Sequence, residues 1–316
     1  MTSRKSIPEL LASRCLGRDQ VVVRQDLSTA LHDNLRLSNL TEVDTCALSH
    51  GLACMDLDLE ESRYLLSGAL DGSLYVHDTS VPGSDLALHI GRSNKHCHTA
   101  YVASVSWGLD TGLFLSSSRD GLLKVWDTNE GRPADQFPVG REQGGITCHA
   151  PARGTLSHLV AVATQGNAVR LVDLRVGSTS HQLRGHGSQV GSFPNQKKDR
   201  CFLNHPKVTC LAWSPGTPGM LASGEGLGQD GRGGGKILLW DVRQAKSKLQ
   251  SLDYNNVKGR PRDPSRLANA AHQGRVLGLA FSGCGRYLVS VGKDHRLGGN
   301  IGAFFIFSNQ ESDGGT

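Results

Sequence analysis

The sequence predicts an all-β protein assembled from repeated small antiparallel sheets, and two observations support this. First, four segments end in an apolar strand closed by aspartate. They are SLYVHD at 73–78, LLKVWD at 122–127, AVRLVD at 168–173 and KILLWD at 236–241. Second, another apolar strand and a turn precede each of these endings, so one strand–turn–strand unit recurs along the chain. Recurrence of one unit in order indicates a repeat architecture.

The spacing and turns of these units are typical of WD-repeat β-propeller blades. The closing aspartates lie 49, 46 and 68 residues apart, against about 40 to 45 in a typical WD repeat. Asp71-Gly72 and Asp120-Gly121 stand between two apolar runs, which is the strongest short signal for a β-hairpin. Because a single blade cannot bury both of its faces, we expect the blades to stack around an axis.

A fifth unit begins but departs from the pattern. RYLVSVGKDH at 286–295 repeats the opening of a blade, and GGNIGAFFIFSNQESDGGT follows without a closing W-D. The run IGAFFIF could pair as a substitute strand. A WD propeller usually has seven blades and rarely fewer than four. The expectation is therefore an incomplete propeller of four blades and a partial fifth, the N-terminal part of a longer propeller from a truncated or alternatively spliced product.

Three regions follow from the pattern. Residues 1–45 carry leucines at helical spacing and predict a short helical N-terminal arm, with a disordered segment as the alternative. Residues 46–297 hold the blades, and residues 298–316 form a divergent C-terminal tail. The fourth repeat contains two insertions, 191–207 and 225–235, which are rich in glycine, proline and charge and therefore predict surface loops.

Histidines mark the expected blade starts. They are His50, His98, His186 and His272. In the second repeat we expect His98, Asp120 and Trp126, with Ser116 or Ser118, to form the buried hydrogen-bond chain typical of a WD blade. Such a satisfied network rigidifies the blade, so the role predicted for these residues is structural.

Composition limits the functional classes. The net charge of +5 over 316 residues permits an acidic partner but does not predict direct sequence-specific DNA binding. No run of about 18 apolar residues is present, so no membrane span is expected. The eight cysteines form no C-x-x-C pairs, and Cys54, Cys148 and Cys210 lie in apolar strands. They indicate reduced, buried thiols in the cytosol or nucleus.

The motifs predict neither a cofactor, nor a metal, nor a catalytic centre. Gly226–Gly231 matches G-x-G-x-x-G, but a strand follows where a dinucleotide site needs a helix. Two cysteine–histidine groups (Cys201, His205 and Cys210; His96, Cys97 and His98) lack the paired halves of a zinc site. No nucleophile elbow is present. A propeller-based hydrolase would need convergent acid and base residues that the sequence does not supply.

Two arginines lie two residues after closing aspartates. Trp240-Asp241-Val242-Arg243 and Val172-Asp173-Leu174-Arg175 place an arginine two residues beyond the strand in adjacent repeats. A guanidinium offers a fork of donors suited to carboxylate recognition. The alternative interpretation is an arginine in a solvated loop.

The repeats resemble the Cockayne syndrome group A family of WD-repeat proteins. The resemblance rests on RYLLSGALDGSLYVHD, DTGLFLSSSRDGLLKVWDTN, LVAVATQGNAVRLVDLRVGSTSHQLRGH and LLWDVRQA, and covers roughly residues 45 to 297 outside the two insertions. It implies a non-catalytic substrate receptor of a cullin-RING ubiquitin ligase, acting in the nucleus in transcription-coupled nucleotide excision repair. The alternatives are a WD-repeat scaffold of another nuclear complex and a truncated, non-functional isoform.

The resemblance also implies partners and contact residues. In this family the WDxR element and an N-terminal helical arm contact the damaged-DNA-binding adaptor of the ligase. The carried-over positions are Arg243 with Asp241, and Arg175 with Asp173. The segment 126–129 (Trp-Asp-Thr-Asn) departs from WDxR and is not assigned to the adaptor. The Cockayne syndrome group B protein and the RNA polymerase II machinery are further partners implied by the resemblance.

Overall fold

In a computed structural model of the chain, the described residues form five antiparallel sheets, and the strands of each sheet are hydrogen-bonded in sequence order. The structure describes residues 51–58, 61–80, 85–108, 112–165, 168–186, 208–226, 235–244, 248–252, 271–272, 274–285, 287–296 and 299–308. The predicted N-terminal arm (1–45) and the insertion 191–207 lie outside these residues, as does most of the insertion 225–235. No helix among the described residues is long and apolar enough to cross a bilayer.

The first four sheets have four strands each. The first contains β1 (Leu52–Leu57), β2 (Tyr64–Ala69), β3 (Leu74–Asp78) and β4 (Asp85–Ile90), and the second β5 (Val102–Trp107), β6 (Leu113–Ser118), β7 (Leu122–Asp127) and β8 (Arg132–Pro138). The third contains β9 (Ile146–Pro151), β10 (Leu159–Thr164), β11 (Ala168–Asp173) and β12 (Ser178–Arg184), and the fourth β13 (Val208–Trp213), β14 (Met220–Glu225), β15 (Ile237–Asp241) and β16 (Lys248–Leu252).

The fifth sheet has three strands, β17 (Val276–Phe281), β18 (Tyr287–Arg296) and β19 (Gly299–Ser308). β19 contains the run IGAFFIF and pairs with β18 along its whole length. The prediction of an all-β fold with four blades and a partial fifth is thereby confirmed. Within the described part of the chain, short 3-10 turns connect strands at Arg141–Gln143, Gly154–Leu156 and Val242–Gln244.

The first strand of every sheet lies next to the first strand of the following sheet. β1 contacts β5, β5 contacts β9, β9 contacts β13 and β13 contacts β17. These strands therefore line the axis around which the sheets are arranged, as in a propeller. Each of these first strands pairs with the second strand of its own sheet, and the pairing has a register shift near the start of the first strand. Examples are the shifts between Leu52 and Cys54 and between Val208 and Cys210.

Side chains of the first strands alternate between two faces. We call the face toward the preceding sheet the leading face and the face toward the next sheet the trailing face. Asp56 lies on a trailing face, since its Oδ2 accepts a hydrogen bond from Trp107 N at 2.9 Å. Trp213 lies on a leading face, since its indole Nε1 donates to Ala150 O at 2.9 Å. The hydrophobic core is accordingly divided into clusters that lie between adjacent sheets.

Three cysteines occupy the same position of the first strands. Cys54, Cys148 and Cys210 follow the register shift in their sheets. The Cys54 thiol lies 3.6 Å from Val102 O of the next sheet. Burial raises the pKa of Cys54 and Cys210 to about 12 and also raises that of Cys148. These thiols are protonated packing groups, as the sequence predicted.

A buried histidine joins the second and third sheets. His149 Nε2 lies 2.8 Å from Ser106 Oγ, and its Nδ1 lies 2.8 Å from Ser117 Oγ. Both serines belong to the second sheet, whereas His149 belongs to β9. Burial lowers the pKa of His149 from 6.5 to about 3, with a smaller contribution from His98. The ring is therefore neutral at physiological pH, with one nitrogen donating and the other accepting.

The predicted hairpins at Asp71-Gly72 and Asp120-Gly121 are confirmed by backbone geometry. Gly72 has φ of 96° and Gly121 has φ of 83°, in the left-handed region that favours glycine. A Cβ on Gly121 would also meet the backbone of Gly140 and Arg141, in the connection to the third sheet. This glycine is required both by its own conformation and by the close approach of the next connection.

We predict that Gly121→Ala lowers the free energy of unfolding by roughly 2 to 4 kcal/mol, because it adds a backbone clash to the strain of a positive φ. Gly154→Ala is the matched control. Gly154 has φ of 69°, but a Cβ added there would have nothing within 4 Å. We therefore expect Gly154→Ala to lower the free energy of unfolding by only about 1 kcal/mol. Urea unfolding measures both; equal losses for the two variants would contradict the packing argument.

Acid is predicted to destabilise the fold through His149. Its folded pKa of about 3 lies below its ordinary 6.5, so between these values the unfolded chain binds a proton that the folded chain does not. The contribution of His149 to the free energy of unfolding is therefore fully present above pH 6.5. It falls as the pH drops below that value, by up to about 1.4 kcal/mol per pH unit. Urea unfolding between about pH 6.5 and 4.5 avoids the ordinary carboxylate range. His149→Gln should flatten this slope, and an unchanged slope would contradict the assignment.

Candidate functional site

The candidate site is the rim formed where the third strands of the sheets end. Asp78, Asp127, Asp173 and Asp241 close these strands, and the Oδ1 of each accepts a hydrogen bond from the backbone N–H two residues later. The donors are Ser80 N (3.0 Å), Asn129 N (2.8 Å), Arg175 N (2.9 Å) and Arg243 N (3.0 Å). Because equivalent ends of equivalent strands lie on one side of a propeller, we call this set of turns the closing rim.

Two turns of the closing rim hold an arginine in the same geometry. Arg243 Nε donates to Asp241 Oδ1 at 2.9 Å and Nη2 donates to Oδ2 at 2.8 Å. Arg175 Nε donates to Asp173 Oδ1 at 3.3 Å and Nη2 donates to Oδ2 at 3.1 Å. The structure thus brings together each predicted aspartate–arginine pair, in adjacent sheets and with a matching two-point contact.

These arginines are held by their aspartates yet remain accessible. The Arg243 side chain is 63% exposed and that of Arg175 is 67% exposed, whereas the two carboxylates are nearly buried. Hydrogen bonds from the arginines lower the pKa of Asp241, and lower that of Asp173 to about 2. Each guanidinium thus contacts its aspartate through Nε and Nη2 while most of the arginine side chain is exposed.

The first two sheets close differently. Asp78 is bound by Arg63, which precedes β2, through Nε at 3.0 Å and Nη2 at 2.6 Å. Asp127 instead accepts a second backbone N–H, that of Glu130, at 3.2 Å. Sequence reasoning missed Arg63, because 15 residues separate it from Asp78 and no local motif joins them. The departure of the second repeat from WDxR corresponds to this different turn.

The predicted blade network of the second sheet is present, and it uses Ser116. His98 Nδ1 lies 2.8 Å from Asp120 Oδ2, and its Nε2 lies 2.7 Å from Ser116 Oγ. Trp126 Nε1 also donates to Ser116 Oγ, at 2.8 Å. Ser118, the alternative candidate, donates to Ala100 O at 3.0 Å. The network joins the connection before β5 to β6 and β7, so it fixes the blade rather than a ligand.

The network recurs in part in other sheets. In the fourth, His186 Nε2 lies 2.6 Å from Ser223 Oγ, which also accepts from Trp240 Nε1 at 2.8 Å. In the fifth, His272 Nε2 lies 2.8 Å from Ser290 Oγ. Both histidines precede the first strand of their sheet, where the sequence predicts a blade start, whereas His50 lies outside the described residues. In the third sheet, Val162 and Val172 occupy the positions of Ser116 and Trp126, and both are buried.

Asp120, His98 and Ser116 are connected in the order of a catalytic triad, but their burial separates them from substrates. The His98 side chain is 0% exposed and that of Asp120 is 7% exposed, while Ser116 is fully buried. Burial also lowers the pKa of His98. The Ser116 hydroxyl already contacts two donor-bearing rings, so no position for a reacting carbonyl adjoins it.

A small apolar cleft lies between the second and third sheets beside the closing rim. Its volume is about 200 Å³. Its lining includes Trp107, Leu113, Pro151, Arg153 and Leu174, the last of which precedes Arg175 in the chain. Leu174 therefore connects this apolar recess to the turn that holds Arg175.

We predict that Ser116→Ala destabilises the protein by roughly 2 to 4 kcal/mol, since it removes the shared partner of His98 Nε2 and Trp126 Nε1 in a buried position. Ser180→Ala is the control. Ser180 is exposed and makes a hydrogen bond to Leu171 O at 3.1 Å, so its loss should stay within about 0.5 kcal/mol. Thermal and urea unfolding compare the two, and similar losses would show that the network does not stabilise the blade.

Comparisons with known proteins agree with this architecture. The family model described as WD domain, G-beta repeat, matches residues 92–127 and 266–297. The mitotic checkpoint complex crystal structure contains a chain with a TM-score of 0.57 and 18% sequence identity, covering 82% of this chain and 62% of that chain. At this identity the structural likeness shows the fold.

Among curated proteins, the chain is similar to WD repeat-containing protein ATCSA-1 of Arabidopsis thaliana, with 30% identity over 291 residues, covering 77% of this chain and 64% of the relative. Similarity to protein transport protein SEC31 of Saccharomyces cerevisiae is 24% over 212 residues, covering 65% of this chain and 15% of that protein. Human Striatin-4 is 30% identical over 151 residues, which cover 43% of this chain and 20% of that protein. The chain thus spans less than two thirds of each of these relatives. The repeated sheets, their histidine–serine networks and these matches together show that the chain is a WD-repeat protein.

Proposed function

We propose that the chain is a non-catalytic substrate receptor of a cullin-RING ubiquitin ligase that acts in transcription-coupled nucleotide excision repair in the nucleus. The observation that carries the proposal is the matched pair of aspartate-held arginines, Arg175 and Arg243, on the closing rim of adjacent sheets. The similarity to ATCSA-1 over 77% of this chain supports the same family of receptors.

The proposed role of the closing rim is to bind the damaged-DNA-binding adaptor of the ligase. Arg175 and Arg243 are exposed cations that their aspartates already orient. Holding a guanidinium in place before binding reduces the side-chain entropy lost on association. Each arginine would donate its remaining N–H groups to carbonyl or carboxylate oxygens of the adaptor, and the apolar cleft beside Leu174 would accept a side chain from it.

In this proposal the chain supplies proximity rather than chemistry. The attached ligase transfers ubiquitin, while the propeller holds the substrate at the ligase and so raises its effective concentration. The Cockayne syndrome group B protein and the RNA polymerase II machinery are the proposed partners on the substrate side. The tightly buried Asp120–His98–Ser116 chain takes no part in transfer.

Substitution of the rim arginines tests the adaptor contact. We expect Arg175→Ala and Arg243→Ala each to weaken adaptor binding by roughly tenfold or more, as truncation of an interface arginine commonly does. The free energy of unfolding should change by less than about 1 kcal/mol, because an exposed ion pair contributes little to stability. Titration of purified adaptor against each variant measures the first quantity, and urea unfolding the second.

Arg184→Ala provides the matched control. Arg184 is an exposed arginine of the same sheet as Arg175, but it ends β12 opposite Ala168, at the other rim. Its removal should leave adaptor binding unchanged. If wild-type chain binds no adaptor, or if all three variants bind as wild type does, the receptor assignment is wrong.

A scaffold in a different complex is the second candidate, and similarity to SEC31 over 65% of this chain favours it. The same closing rim would then serve another partner. Affinity purification of the chain separates the two candidates, since recovery of a stable complex without ligase subunits would support the scaffold and contradict the receptor.

A further inference from the structure

The leading face of the first sheet is exposed, unlike the leading faces of the other four. Met55 is 64% exposed and Leu57 is 40% exposed. The equivalent positions of the other first strands are Val105 and Trp107, His149 and Pro151, Leu211 and Trp213, and Leu279 and Phe281. Of these, Trp107 is 4% exposed and Val105 is 6% exposed. The first sheet therefore exposes apolar side chains at positions that, in every later sheet, pack against the sheet before it.

Contacts between the sheets show what such a face packs against. His149 on the leading face of the third sheet reaches Ser106 of the second, and Trp213 of the fourth reaches Ala150 O of the third. Leu279 and Phe281 pack on the core cluster that includes Ala222 and Ile237 of the fourth sheet. In each case large side chains of a leading face meet a trailing face.

The trailing faces carry small or short residues at the facing positions. Those two steps apart in each first strand are Cys54 and Asp56, Ser104 and Ser106, Cys148 and Ala150, Cys210 and Ala212, and Gly278 and Ala280. Four interfaces of the molecule thus follow one rule, in which large residues of one sheet fit over small residues of the sheet before it.

No described strand covers the trailing face of the fifth sheet. A Cβ on Gly278 would meet nothing within 4 Å, whereas one on Gly224, on the trailing side of the fourth sheet, would lie 2.9 Å from Val276 Cβ. Ala280 is exposed, and Leu277 is 47% exposed. Leu277 stands where Thr209 of the fourth sheet bonds to Val276 O of the next sheet, at 2.5 Å. One chain therefore presents two complementary apolar faces that do not cover each other.

We propose that the chain self-associates head to tail, with the trailing face of the fifth sheet in one copy packing on the leading face of the first sheet in a second copy. Met55 and Leu57 of the second copy lie over Gly278, Ala280 and Leu277 of the first. This contact continues the series of four inter-sheet interfaces across the molecular boundary. It is a heterologous interface, so it yields a closed ring when the rotation closes and an open assembly otherwise. The proposal is independent of the adaptor contact on the closing rim.

Sedimentation velocity of the full chain over a wide range of concentration tests the association. The weight-average mass of wild type should rise with concentration. Met55→Glu and Ala280→Glu should each raise the dissociation constant by roughly tenfold or more, because each places a charge in one of the apolar faces. Val176→Glu is the matched control. Val176 is 71% exposed in the turn after β11, away from both faces. The Val176→Glu variant should therefore associate as wild type does.

Mixing the two variants tests the head-to-tail arrangement. Met55→Glu keeps an intact trailing face and Ala280→Glu keeps an intact leading face, so a mixture should form a one-to-one complex that neither variant forms alone. Thermal unfolding checks that both variants are folded. A wild type that stays monomeric at every concentration overturns the proposal. Loss of association in Met55→Glu alone, with no effect of Ala280→Glu, also overturns it, since leading faces would then pair with each other.

Discussion

The structure depends on one constraint, that a four-stranded sheet of this size buries its faces only against other sheets. At the four contacts between described sheets the first strands meet the constraint in the same way, with large side chains of one sheet over small ones of the sheet before it. The leading face of the first sheet and the trailing face of the fifth are exposed instead. The core consequently lies between sheets rather than within one. The register shift near the start of each first strand, the buried thiols and the His149 contacts all lie in these inter-sheet layers.

In the second and fourth sheets, buried histidine, serine and tryptophan side chains are joined in hydrogen-bonded networks. The second sheet satisfies His98, Asp120, Ser116 and Trp126 together, and the fourth repeats the histidine–serine–tryptophan part. The third sheet fills the equivalent space with Val162 and Val172. Polar and apolar solutions both fix a blade, because a hydrogen-bonded network and a packed apolar cluster each avoid the cost of burying a polar group alone.

The closing aspartates connect the fold with the proposed function. Each first ends its strand by capping the following turn, which is a local structural task. In the third and fourth sheets the same carboxylate also orients an arginine that remains largely exposed. A residue required by the blade therefore presents a positioned donor on the surface. An arginine on this rim needs no separate scaffold, because its position is set by the end of a regular strand.

The sequence by itself determined the repeat, the two Asp-Gly hairpins, the blade-start histidines and the two aspartate–arginine pairs. These features are local or periodic: Arg175 and Arg243 lie two residues from their aspartates, and a repeated pattern reports its own period. Only the tertiary structure decided between Ser116 and Ser118, joined Arg63 to Asp78, and placed His149 against Ser106 across 43 residues. It also decided which apolar faces are covered, since two sheets distant in sequence must stack before either face is buried. Contacts of that kind depend on how twisted sheets stack, and no local pattern in the chain encodes their partners.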